Sequence, residues 1–103
     1  LLLLLWQAEG SVNLVSMDLS GVSGFHEIIV LTPRGFEEGL DAVMAVREQR
    51  TVLLNLSEME AKLAQRTADF VSGGVYALQG QERRVGERVL LFAPASVDID
   101  QLS

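Results

Sequence analysis

The sequence predicts an α/β domain: a two-layer sandwich in which a mixed β-sheet of about five strands carries two helices on one face. Three observations predict it. "EIIVL" and "TVLLNL" are short, nearly continuous apolar runs rich in β-branched residues, as expected of strands covered on both faces. The segments after each run repeat apolar residues at helical spacing. Beyond the second helical segment, glycines and a proline divide the remaining apolar runs into short strands. The expected order is β-α-β-α-β-β-β.

Each element has a local signal. Glu27–Leu31 is the first core strand, closed by Thr32-Pro33, because proline cannot continue the hydrogen-bond ladder. Phe36, Leu40, Val43 and Met44 then recur at helical spacing, with Glu37, Glu38 and Asp41 where the helix dipole favours anions and Gly35 at the cap position. Thr51–Leu56 is the next strand, so strand, helix and strand form a βαβ unit with parallel strands and a right-handed crossover. Ser57 and Glu60 read as a capping box that opens the second helix. That helix has two apolar stripes: Met59, Leu63 and Phe70 on one side, and Ala61, Ala64, Ala68 and Val71 on the other. One sheet covers one of them. The small-residue stripe is left either for the first helix or for a second copy of the chain. Gly73-Gly74 is expected to stop the helix, with Ser72 as a capping residue. "VYAL" then reads as a strand, Gly80 and Gln81 as a turn, and "RRVGERVLLFAP" as one bent or two short strands with a bulge or turn at Gly86 and an end at Pro94.

Upstream, residues 1–25 read as an N-terminal arm or linker and residues 26–103 as the domain proper. Val12, Leu14, Met17 and Leu19 keep an imperfect period of two, which fits an additional strand or a loosely packed arm, and "SGVSG" reads as a linker. The opening LLLLLW, without an initiator methionine, suggests a piece of a longer chain. Six apolar residues fall far short of the roughly 20 that a membrane-spanning helix needs.

Composition narrows the function. At 103 residues the chain makes one domain of modest core, for which pairing with a second copy adds useful burial. A net charge of -6 opposes general binding to nucleic acid, and the absence of cysteine removes disulfides, thiolate metal sites and cysteine nucleophiles. His26 is the single histidine and has no ligand spacing around it. Ser72 lacks the G-x-S-x-G context of a nucleophile elbow, and the glycines form no phosphate-binding loop. Glu37-Glu38 and Asp98/Asp100 read as solvated charges. No catalytic set, cofactor or metal is implied, which favours a binding module over an enzyme.

Arg83, Arg84 and Arg88 are the exception in an acidic chain, three of eight cationic residues within six positions. They suit either a solvated hairpin that resists edge-to-edge aggregation or a docking point for a carboxylate-bearing peptide, with apolar contacts from Val75, Leu90 and Phe92. A different class, a small-molecule sensor or phospho-switch module of α/β type, would use Ser57 after "LLNL".

Taken together, "EIIVLTPRGFEE", "VLLNLSEM", "AQRTADFVSGGVYALQG" and "RRVGERVLLFAP" resemble, over about residues 26–98, the C-terminal domain of the SepF family of bacterial cell-division proteins, with cyanobacterial members most similar. The resemblance implies a cytoplasmic adaptor at the division site. It would dimerise, assemble further and capture the C-terminal peptide of FtsZ, with an N-terminal helix outside this chain tethering it to the membrane. It further implies Arg84 and Leu90 at the peptide contact, where the family usually has phenylalanine in place of Leu90, and Gly73 at a self-association contact completed by the alanine-lined helix.

Overall fold

The computed structural model describes residues 11–19 and 24–99. LLLLLW and Ser20–Ser23 of the expected linker lie outside the described residues. The α/β class and the layering are as the sequence predicts, with a different order of elements. Strand β1 (Ser11–Leu19) and strand β2 (Gly24–Thr32) come first. A 3₁₀ turn at Phe36–Glu38 leads into helix α1 (Gly39–Arg47), and strand β3 (Thr51–Asn55), helix α2 (Ala61–Ala77), strand β4 (Gln81–Gly86) and strand β5 (Val89–Ala93) follow. Strands β2, β3, β5 and β4 form a four-stranded mixed sheet that β1 extends to five, in the order β1-β2-β3-β5-β4.

Pairing of β2 with β3 is parallel, from Ile28 opposite Thr51 to Leu31 opposite Leu54, as the βαβ reading requires. The remaining pairs are antiparallel. Strand β1, where the period of two allowed a strand or an arm, pairs with β2 along its whole length. Alternation along the strands separates two faces. Ile29, Leu31, Val52, Leu54, Leu90 and Phe92 face the helices in the main core, whereas Ile28, Leu53 and Leu91 meet Ile99 on the other side.

Gly35 is extended before the 3₁₀ turn, and the Glu38 carboxylate accepts from the backbone N–H groups of Arg34 (2.7 Å) and Gly35 (2.8 Å), so an acidic side chain supplies what the glycine cannot. The buried face of α1 is Gly39, Ala42, Ala45 and Val46, while Leu40 is half exposed and the Phe36 ring packs at a tilt against Phe70 of α2, centroids 5.1 Å apart.

Four sequence expectations are corrected in and around α2. Its N-cap is Glu60, whose carboxylate accepts from Leu63 N–H at 2.7 Å; Ser57 sits in the preceding turn, its N–H donating to Asn55 Oδ1. Gly73-Gly74 does not stop the helix, Ser72 lies in its interior and caps nothing, and "VYAL" is not a strand. The helix runs on to Ala77 because Val75 is buried against the core and Gly74 is needed for packing: a Cβ there would lie 2.8 Å from Val43 Cγ2 of α1. The contact is reciprocal, since a Cβ on Gly39 would lie 3.1 Å from Thr67 and 3.2 Å from Val71 of α2. Each helix thus receives β-branched side chains of the other over a glycine, which lets the two axes come close.

The true stop is a Schellman motif in which Gly80 N–H bonds to Val75 O and Gln79 N–H to Tyr76 O, with Gln79 itself left-handed at φ 62°. Helix α1 ends the same way at Gln49, φ 67°. Gly86 marks the expected irregularity in the β4–β5 register, and Glu87-Arg88 forms the hairpin turn.

Candidate functional site

The buried and exposed faces of α2 decide what site can form. Ala64, Thr67, Ala68, Val71 and Val75 face inward. The alanine stripe therefore faces the sheet of its own protomer, in the core with Leu54, Leu90 and Phe92. Ala64, Ala68 and Val71 do not lie on an exposed self-association surface as the sequence suggested. Ala61 is exposed, and so is Gly73, where an added Cβ would meet nothing within 4 Å. Near Gly73 the surface carries Phe70, 39% exposed, and Tyr76, 83% exposed.

Small side chains have a second consequence. Where α2 passes the β4–β5 hairpin they leave a groove of about 210 Å³. Its α2 wall is Ala61, Ala64, Gln65 and Ala68, with Leu56 at the end; its hairpin wall is Arg84, Glu87, Arg88 and Leu90. Arg84 and Leu90 are directly opposed in the β4–β5 register, which puts a cation at the rim and an apolar side chain below it.

The three arginines of the basic cluster stand in different settings. Arg84 Nη1 donates to Glu87 O at 2.6 Å in an exposed position on the hairpin. Arg88 Nη1 reaches across to Met59 O at 2.8 Å in a part-buried position. Arg83 is opposed to Leu91, so strand alternation sends it to the sheet face away from the groove. Val75 and Phe92 are fully buried in the core, 1% and 0% exposed, and stand behind the groove; Leu90 borders it but, at 2% exposed, offers only the edge of a core side chain as its floor. The fold brings together Arg84 and Leu90 and does not bring Arg83, Val75 and Phe92 to the same surface. Sequence reasoning missed Gln65 and Leu56 as lining residues, although the helical spacing of Gln65 with Ala61 and Ala68 was available to find the former.

A second groove, of about 340 Å³, opens between Glu27, Glu48, Arg50 and Val97 and holds none of the candidate site residues. Ser72 lies in α2 and His26 in β2 opposite Met17. Among the described residues no group of three His, Asp or Glu stands ready for a metal, and no buried side-chain polar atom lacks a partner.

The family model described as "Cell division protein SepF" matches residues 28–99. This chain belongs to the SepF family. Among its relatives is the cell division protein SepF of Synechococcus elongatus, 47% identical over 81 residues, which cover 79% of this chain and 42% of the relative. The SepF of Trichodesmium erythraeum is 46% identical over 92 residues, or 87% of this chain and 43% of that one. The SepF of Nostoc punctiforme is 45% identical over 87 residues, 84% and 43%. The chain spans about two fifths of the length of the SepF proteins it matches. Residues 28–99 run from within β2 to the turn that holds Ile99, so both walls of the groove belong to the matched SepF region.

Proposed function

We propose that this domain is a non-catalytic adaptor of cell division that captures the C-terminal peptide of FtsZ in the groove between α2 and the β4–β5 hairpin. Membership of the family supports the division role. The observation that carries the peptide reading is the pairing of Arg84 with Leu90 on one groove wall. A carboxylate is a stronger acceptor than the carbonyl that now holds the Arg84 guanidinium, so an acidic peptide can compete for it while an apolar side chain enters over Leu90. Val75 and Phe92 support that wall from the core.

The adaptor also associates with copies of itself, and Gly73 is its contact on α2: an exposed glycine between Phe70 and Tyr76 permits close approach of another backbone. Action is on the cytoplasmic face of the cell membrane at the division site, with tethering through a segment N-terminal to the domain. Among the described residues no helix is long and apolar enough to cross a membrane.

Titration with a synthetic FtsZ C-terminal peptide at two salt concentrations tests the reading. Saturable binding that weakens with salt is expected, and Arg84→Glu should reduce affinity at least tenfold, since it removes a charge-assisted hydrogen bond and adds repulsion. Binding that is indifferent to Arg84→Glu rules out this groove. Gly73→Lys should lower the oligomeric state in sedimentation, and an unchanged profile removes Gly73 from the contact.

A further inference from the structure

We propose that Arg88 is a positioning residue of the peptide groove: it braces the α2 end against the hairpin and does not itself hold the ligand. The inference rests on the peptide-binding reading above and assigns separate tasks to two arginines that share one wall. Arg88 occupies the second position of the hairpin turn and grips the β3–α2 loop at two points. Its backbone oxygen accepts from Leu56 N–H at 2.8 Å, and its Nη1 donates to Met59 O at 2.8 Å, across 29 positions of sequence. Leu56 and Met59 are themselves core residues, 2% and 4% exposed, so the loop is anchored below and tied above.

Met59 immediately precedes Glu60, the N-cap of α2, and Ala61 begins the opposite groove wall. The tie therefore fixes how far the first turn of α2 stands from Arg84 and Leu90. A guanidinium suits this task because it is long, remains charged and presents donors in a rigid plane, whereas an ammonium is a compact, strongly hydrated point charge. Arg84, by contrast, bonds within its own hairpin and bridges nothing.

Arg88→Lys separates the two roles because it keeps the charge and changes the geometry. In the free protein, amide hydrogen exchange over residues 57–64 should accelerate about tenfold or more in Arg88→Lys and stay at the parental rate in Arg84→Lys. Affinity for the synthetic FtsZ C-terminal peptide should fall several-fold in Arg88→Lys with its salt dependence unchanged. Arg88→Met should deepen both effects. Parental exchange in Arg88→Lys overturns the brace, and parental affinity in Arg88→Lys means that the charge alone is used. If the parent domain fails to bind the peptide at all, the reading on which this rests falls, while hydrogen exchange still decides whether the brace exists.

Discussion

Two adjacent glycines in the interior of α2 should respond in opposite directions to the same substitution. At Gly73 an added methyl meets open space, and alanine in a helix interior is favoured over glycine by roughly 0.5–1 kcal/mol. Gly73→Ala should therefore raise the melting temperature by about 2–8 °C for a domain of this size. At Gly74 the same gain is opposed by contact with Val43, whose two methyl carbons would lie 2.8 and 3.0 Å from the new Cβ, against the ~3.5–4.0 Å at which carbon atoms pack. Val43 is β-branched and cannot rotate away freely, so overpacking of about 1–3 kcal/mol is expected and Gly74→Ala should be net destabilising. Urea unfolding at low protein concentration, where any self-association through Gly73 is minimal, measures both. Val43→Ala in the Gly74→Ala background should recover about 1 kcal/mol or more relative to additivity. Gly74→Ala at least as stable as Gly73→Ala would show that the helices do not interlock through these residues.

Three other expectations concern the scaffold. Gln79→Gly relieves a left-handed non-glycine residue at the end of α2 and should stabilise the domain by up to about 1 kcal/mol in urea unfolding; a loss would mean that the glutamine side chain contributes something there. The Asp41 carboxyl is held above its ordinary value of 3.8, first by burial and then by the neighbouring Glu38 charge. A raised acid favours the folded state when protonated. Its contribution is complete below pH 3.8 and is lost as pH rises through the folded-state value, so Asp41→Asn should be more stable than the parent at neutral pH with the gap closing towards pH 3; a gap that widens on acidification contradicts this. Gln81 Nε2 donates to Pro94 O and Val97 O, pinning the segment that brings Ile99 onto Ile28 and Leu91. Gln81→Ala should hasten proteolytic cleavage after Pro94, and equal cleavage rates would assign that hold to other contacts.

Much of the fold was legible because its signals are local. The β-branched run closed by Thr32-Pro33, the parallel partner at Thr51, and the hairpin with its irregularity at Gly86 all stand where the pattern put them. What failed was the reading of glycine. Gly73-Gly74 has the chemistry of a helix stop, but the positive φ falls at Gln79, and Gly74 answers to a neighbouring helix that no local window contains. Losing that stop also moved Val75 from an expected strand into the helical core. The alanine stripe was ambiguous for a related reason: small residues suit a close helix neighbour or a low seat over a sheet, and spacing cannot distinguish them. For the groove, strand register made Arg84 and Leu90 opposed residues, a relation fixed once the hairpin turn is known. The division of labour among the three arginines was not readable, because Met59 lies 29 positions from Arg88.

The two uses of α2 constrain one another. Its inward alanines face the core and border the groove beside the hairpin, while Gly74 admits α1 on one side and Gly73 leaves a bare patch on the other. Enlarging Ala64 or Ala68 would fill the groove and lift the helix together, so a substitution there cannot report on peptide capture alone. Arg84 and Gly73 are better probes because each is exposed and each touches one function. If peptide capture and self-association are coupled, the coupling has to pass through the rigid body of α2 or its brace at Arg88. In that case Arg88→Lys, which touches neither Gly73 nor the α1 contact, should alter self-association only when peptide is bound.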